Sequence, residues 1–256
     1  MKTTLITGAS SGIGKELAHV YAENNYNLVL VARRKNNLED IKRDITKKHK
    51  VSVKIFDLDL SNIESAEQLY KEVSSKNIKV DVLINNAGYG VSGPFTDTDM
   101  EKETGMLVLN MVTLTKLSKL FANYFIKNGG GHIINIASTA AFQPVPTMAT
   151  YAATKAYVLS FSEAIAYELK SQNVKVTAIC PGATQSEFAQ SADMGDTAMF
   201  NKAPTSRELA EFTYEAMIKG KTTAIHGTKN NFLTFTIRLS PRKLVTAIAA
   251  KMVGQN

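Results

Sequence analysis

The stretch TTLITGASSGIGKEL, residues 3–17, joins a short β-branched apolar run to a helical pattern through three glycines, Gly8, Gly12 and Gly14. Each glycine meets a separate demand of a strand–turn–helix unit built around an anion. Gly8 permits the tight turn out of the strand, Gly12 lets backbone amides approach a pyrophosphate, and Gly14 lets the helix pack closely on the strand. Ser10, Ser11 and Ile13 complete the loop, and the helix start presents unpaired N–H groups to the anion. Glycines alone also punctuate ordinary turns; their place between an opening strand and an amphipathic helix favours a phosphate loop.

Further along, apolar β-branched runs recur at intervals suited to parallel strands: NLVLVA, VSVKIFDL, VDVLINN, HIINIAS, VKVTAIC and, near the end, TTAIHG. Helical spacing fills the gaps at 13–24, 36–49, 62–76, 99–127 and 149–172. Repeated strand–helix units predict a doubly wound, Rossmann-type α/β fold, its parallel sheet covered by helices on both faces. No linker or repeat divides the chain, so residues 1–256 are expected to form one domain. Residues 182–205 are long, weakly periodic and suited to a substrate loop, and residues 228–256 form a C-terminal extension.

At 256 residues and 44% apolar composition the chain can build a substantial core. The opening apolar run is too short for a signal peptide, and no stretch is expected to reach the length of a membrane-spanning helix. The single cysteine, Cys180, sits in an apolar strand run and reads as a buried thiol. A cytoplasmic protein is the resulting expectation. The net charge of +7 equals the basic excess of the segment from Ala216 onward, where Lys219, Lys221, Lys229, Arg238, Arg242, Lys243 and Lys251 meet no acid. Without a nucleic-acid module or stacking aromatics, solvated helix faces are preferred to a nucleic-acid partner. His19, His49, His132 and His226 lack ligand-like spacing, so no metal site is expected.

The second strand ends in VARRKNNL. Dinucleotide folds that hold a ribose 2′-hydroxyl place an acid near this point; here stand Arg33 and Arg34. A guanidinium clamps a 2′-phosphate that a carboxylate would repel, which predicts NADP(H) as cofactor. The alternative is a solvated pair at a helix start, although arginines there oppose the helix dipole. Arg33 is ranked ahead of Arg34.

In YAATK, Tyr151 and Lys155 are one helical turn apart on one face. An ammonium beside a phenol favours the phenolate, so the pair is expected to bring the Tyr151 pKa down toward neutrality. Such pairs are common by chance, and their surroundings decide their meaning. Ser138 at a strand end could begin a turn, and Asn110 in an apolar helix could be a satisfied core amide.

Taken in order, TGASSGIG at 7–14, NNAG at 85–88, Asn110 in LVLNMV, Ser138 in INIAS, Tyr151 with Lys155, and PG at 181–182 make the chain resemble the short-chain dehydrogenase/reductase family over most of residues 1–185. The resemblance implies Tyr151 as general acid/base, Lys155 as pKa modifier and ribose ligand, Ser138 as partner of the substrate oxygen, and Asn110 as holder of a relay water. It also implies cofactor contacts from Asn86, Ala87 and Gly88, from Asp59 followed by Leu60, and from Pro181, Gly182 and Thr184. Asp57 is the alternative to Asp59 if the strand register shifts, and Asn85 is expected to tie neighbouring strands. The segment TQSEF after Ala183 departs from the family pattern. The implied activity is hydride transfer between NADP(H) and a carbonyl or secondary alcohol, in a homodimer or homotetramer; a dinucleotide-binding regulator is the alternative.

Phe142, Val145, Met148, Phe188, Met194, Met199 and Phe200 are the expected pocket wall, fitting a substrate with an apolar portion. At the C-terminus, Ser240 before Pro241 reads as an N-cap, with Leu244, Ile248 and Met252 as an apolar stripe. Docking of that stripe on the domain or on a second subunit is preferred to contact with an anionic membrane face.

Overall fold

A computed structural model describes residues 1–188 and 203–252. Among them, seven parallel strands form one sheet in the order β3-β2-β1-β4-β5-β6-β7. The strands are β1 (Thr3–Thr7), β2 (Asn27–Ala32), β3 (Val53–Asp57), β4 (Val82–Asn85), β5 (Gly131–Ile136), β6 (Val174–Cys180) and β7 (Thr223–Ile225), each built on one of the apolar runs of the sequence, β5 beginning one residue ahead of its run. Alternation serves both faces at once. In β2, Leu28 and Leu30 join one core cluster while Val29 and Val31 join the other. A sheet buried on both sides needs such uninterrupted apolar runs.

Helices α1 (Gly12–Glu23), α2 (Lys35–Lys48) and α7 (Ser206–Ile218) cover the first face through Leu17, Ile41 and Leu209. On the second, α3 (Ser65–Ser75) and α5 (Leu114–Lys127) contribute Leu69, Val73, Phe121 and Phe125, and α6 (Ala149–Leu169) adds Ile165. From β1 the chain winds outward to β3, then crosses back to lay β4 on the other side of β1. The strand order reverses there, so the helices that follow β1 and β4 run to opposite faces of the sheet and leave a crevice at the strands' C-terminal ends.

Four features correct or extend what the sequence predicts. First, α4 (Met100–Leu107), a π-helical turn at Val108–Thr113 and α5 run on as one helix, Met100–Lys127, long and apolar enough (mean hydropathy 1.2) to cross a membrane by length and composition. Its apolar side chains are spent on the sheet, Leu117, Phe121 and Phe125 in the second-face core and Leu114 in the cluster with Ala178 and Cys180 of β6. Second, FLTFTIRL is helical, within α8 (Thr228–Leu239), which is followed by α9 (Arg242–Met252). Third, Ser240 does not act as an N-cap: its hydroxyl donates back to the Thr236 carbonyl at 2.9 Å. Fourth, Leu244 and Ile248 of the expected stripe do not dock on this chain. Leu244 and Ile248 are exposed, and the buried face of α9 is one position further on, at Val245 and Ala249.

Candidate active site

The loop after β1 and the NNAG segment after β4 meet backbone to backbone. A Cβ on Gly14 would stand 2.1 Å from the Gly8 carbonyl oxygen, and one on Gly8 would stand 2.8 Å from the Ala87 Cα. Gly8 also has φ +66°, which a side chain would strain. The Asn86 amide donates to the carbonyls of Thr7 (2.9 Å) and Gly8 (3.2 Å), locking the two segments together. Asn85 ties strands as expected, donating to Asn135 Oδ1 and Ser118 Oγ, both buried. No acid stands in the first turn of α1, and the Ser11 hydroxyl does not cap it. Free amides, positive dipole and hydroxyls thus converge where a pyrophosphate fits.

A cavity of about 950 Å³ runs from this loop across the C-terminal ends of the strands. Its phosphate end holds Gly8, Ser10, Ser11, Gly12, Ile13 and Gly14, with Asn86, Ala87 and Gly88 opposite. One wall carries Arg33, Arg34, Asp59 and Leu60; Asp57, which pairs with Ala32 in the sheet, is not part of the lining. The Asp59 carboxylate accepts from Ser61 N (2.9 Å) and Oγ (2.7 Å) and lies 3.8 Å from Arg33 Nη1. Arg34 is the more engaged arginine. Its Nε donates to Ser10 Oγ (3.2 Å), and its Nη2 donates to Ser11 Oγ (2.5 Å) and Glu187 Oε2 (2.8 Å). That guanidinium holds the Glu187 carboxyl below its ordinary range.

At the other end stand Ser138, Tyr151 and Lys155, with Pro181, Gly182 and Thr184 beside them. Lys155 Nζ donates to the Ile136 carbonyl at 2.8 Å and lies 5.7 Å from the Tyr151 ring centroid. Ser138 Oγ accepts from Ala140 N (3.1 Å), starting a 3-10 turn, and donates to the Pro181 carbonyl (3.5 Å), while the same hydroxyl counters the rise of the Tyr151 pKa. The expected fall in the Tyr151 pKa is not observed. Burial pushes the phenol up to about 12 against the opposing Ser138 bond, and burial brings Lys155 down to about 8. Desolvation outweighs the opposing influence of the Ser138 hydroxyl, so Tyr151 is a protonated phenol, and Lys155 is mostly ammonium at pH 7.

Asn110 lies in the π-turn, buried and outside the cavity lining. Its Nδ2 donates to the Tyr89 carbonyl (3.0 Å) and Thr154 Oγ1 (3.1 Å), and its Oδ1 accepts from Tyr89 N (3.3 Å). The carboxamide therefore braces the Tyr89 backbone, just after NNAG, against α6. Val145, Met148 and Phe188 line the cavity, the Phe188 ring 5.2 Å from that of Tyr151. Phe142 does not; it packs on the cluster containing Ala137, Val158 and Cys180, while Ala140 and Gln143 face the cavity from the same turn. Met194, Met199 and Phe200 lie outside the described residues. Glu187 and Ala249, which sequence reasoning missed, also line the cavity. Cys180 is buried, its thiol pushed up to about 12, which leaves it inert.

A family model described as short chain dehydrogenase matches residues 2–196. An uncharacterized oxidoreductase of Staphylococcus epidermidis is 30% identical over 195 residues, 76% of this chain and 83% of that protein. Among solved structures, a short-chain dehydrogenase from Sphingobium yanoikuyae in complex with NADPH superposes with TM-score 0.84 at 30% identity, covering 93% of this chain and 94% of that one. The bulky-bulky ketone specific alcohol dehydrogenase from Comamonas testosteroni gives TM-score 0.80 at 29% identity, covering 93% and 92%. The phosphate loop, the cavity at the strand switch and the buried Tyr151–Lys155 pair thus belong to a member of the short-chain dehydrogenase/reductase family. The chain is accordingly a Rossmann-type oxidoreductase of the kind that acts on alcohol and carbonyl groups with a nicotinamide dinucleotide.

Proposed function

We propose that the protein is an NADP(H)-dependent oxidoreductase of ketones, aldehydes or the corresponding secondary alcohols, with Tyr151 as general acid/base. One observation carries this reading: Tyr151, Ser138 and Lys155 share a cavity with the glycine loop and with Arg33 and Arg34. Two guanidiniums where an acid would select the 2′-hydroxyl suit a 2′-phosphate, and the Sphingobium relative is in complex with NADPH. The bound nicotinamide would supply or accept the hydride at the substrate carbon. The chain's own groups manage the oxygen. Ser138 and the Tyr151 phenol donate to it, and the phenol passes its proton as negative charge develops. With its pKa raised to about 12, Tyr151 carries that proton throughout the neutral range, which suits the reductive direction. Lys155 is held by the Ile136 carbonyl and keeps positive charge near the phenolate left behind. The apolar wall of Val145, Met148 and Phe188 suits a substrate with an apolar portion. The reading is tested by following NADPH and NADH absorbance against a panel of ketones and aldehydes. Turnover with NADPH favoured is expected; tight NADPH binding without turnover on any carbonyl would return the dinucleotide-binding regulator.

A further inference from the structure

The C-terminal helices carry a second surface, on the outside of the molecule. Phe232, Phe235 and Leu239 fall at i, i+3 and i+7 on one face of α8, and Leu244 and Ile248 at i and i+4 on α9. All five are more than half exposed. The helices are docked by their other faces, through buried Thr234, Val245 and Ala249, so these apolar faces are not the inward sides of helices waiting to close. Five large apolar side chains on two consecutive helices are more than the scattered exposure an ordinary surface shows.

The charged side chains of these helices are all basic. Lys229, Arg238, Arg242, Lys243 and Lys251 are exposed on or beside these helices, and no Asp or Glu occurs after Glu215. Lys251 shares the face of Leu244 and Ile248, where its stem can lie along apolar surface with the ammonium at a polar boundary. A two-fold contact with a second copy would set like-charged faces against each other, which costs binding energy. Phe, Leu and Ile offered together with only basic groups match an anionic lipid surface: acyl chains for the apolar faces, headgroups for the cations.

We propose that α8 and α9 form a peripheral docking surface for anionic lipid bilayers. Since Ala249 on the inner face of α9 lines the cavity while its neighbour Ile248 faces outward, the helix that would rest on the bilayer is also a wall of the cavity.

The test is co-sedimentation of the full chain with vesicles of phosphatidylcholine alone and of phosphatidylcholine with phosphatidylglycerol, at low and high salt. The expected result is binding to the anionic vesicles only, weakened at least tenfold at 0.5 M salt. Phe235→Ser with Leu239→Ser, and separately Arg242→Glu with Lys243→Glu, are each expected to cut binding at least tenfold. Both pairs are exposed, so melting temperature and NADPH affinity should stay at wild-type values. No binding to anionic vesicles, or wild-type binding by both variants, would overturn the proposal. So would a self-association that either variant abolishes, which would make the face a subunit contact. Vesicle binding is read without turnover, so its outcome is independent of the oxidoreductase assignment.

Discussion

The Arg34–Glu187 pair makes a demand that an ordinary ion pair would not. Arg34 reaches Ser10 and Ser11 on the phosphate loop and Glu187 on the segment after β6. If Arg34 binds the 2′-phosphate, Glu187 competes with the cofactor for the same guanidinium. Replacing the two partners should then move NADPH affinity in opposite directions. Arg34→Ala removes charge-assisted hydrogen bonds of about 1.5–3 kcal/mol, which raises the NADPH Kd roughly ten- to a hundredfold. Glu187→Gln removes only a competitor. The side chains are 48% and 52% exposed, so the pair is worth at most about 1 kcal/mol and the gain is limited to about fivefold tighter NADPH binding. Neither change should move the NADH Kd by more than about twofold, since NADH lacks the 2′-phosphate. Fluorescence titration of both cofactors against both variants reads all four values. Weaker NADPH binding in Glu187→Gln, or equal losses for NADPH and NADH in Arg34→Ala, would refute the competition and leave the pair a structural clasp.

Three further outcomes follow from the geometry. Lys155→Met, which keeps the stem and deletes the charge, should leave global stability within about 1 kcal/mol while lowering both kcat and NADPH affinity at least tenfold; denaturant melts and steady-state kinetics check the two arms, and a loss confined to stability would remove Lys155 from the site. Gly14→Ala forces a Cβ against the Gly8 carbonyl and should cost roughly 1–3 kcal/mol, together with cofactor binding; a melting temperature equal to wild type would contradict the loop packing. His132 is buried, and Thr177, whose hydroxyl donates to the Lys221 carbonyl, accepts from its Nε2–H at 2.8 Å; burial brings the imidazole down to about 4 from 6.5. Its folded pKa lies below the unfolded value, so the unfolded chain binds the extra proton between pH 6.5 and 4, and about 3 kcal/mol of stability is lost as pH falls through that window. His132→Asn should flatten that part of the stability profile, and an unchanged slope would assign the acid sensitivity elsewhere.

The β-strands were legible because a sheet covered on both faces writes its pattern as uninterrupted apolar runs, as in NLVLVA. The site residues were legible where the motif is local, in TGASSGIG or YAATK. Glu187 was not, because its partner Arg34 is 153 positions away and nothing near either residue signals the other. The wall assignment of Phe142 failed because apolarity does not say which way a 3-10 turn points its side chains. In α9 the largest apolar side chains face solvent while smaller Val245 and Ala249 take the docked face, reversing what size suggests. The Tyr151 pKa was misjudged because spacing reveals a neighbouring charge but not desolvation, and burial is the larger effect here.

The most direct measurement is single-turnover NADPH oxidation by Tyr151→Phe beside an NADPH titration of the same variant. Removing one hydroxyl from the buried ring deletes the transferable proton and leaves the apolar contacts with Phe188. Because the proton is needed only as charge develops on the substrate oxygen, a loss of at least a hundredfold in the chemical step with NADPH Kd unchanged within about twofold is predicted. A Phe variant that oxidises NADPH at near wild-type rate on its best ketone would contradict the role assigned to Tyr151.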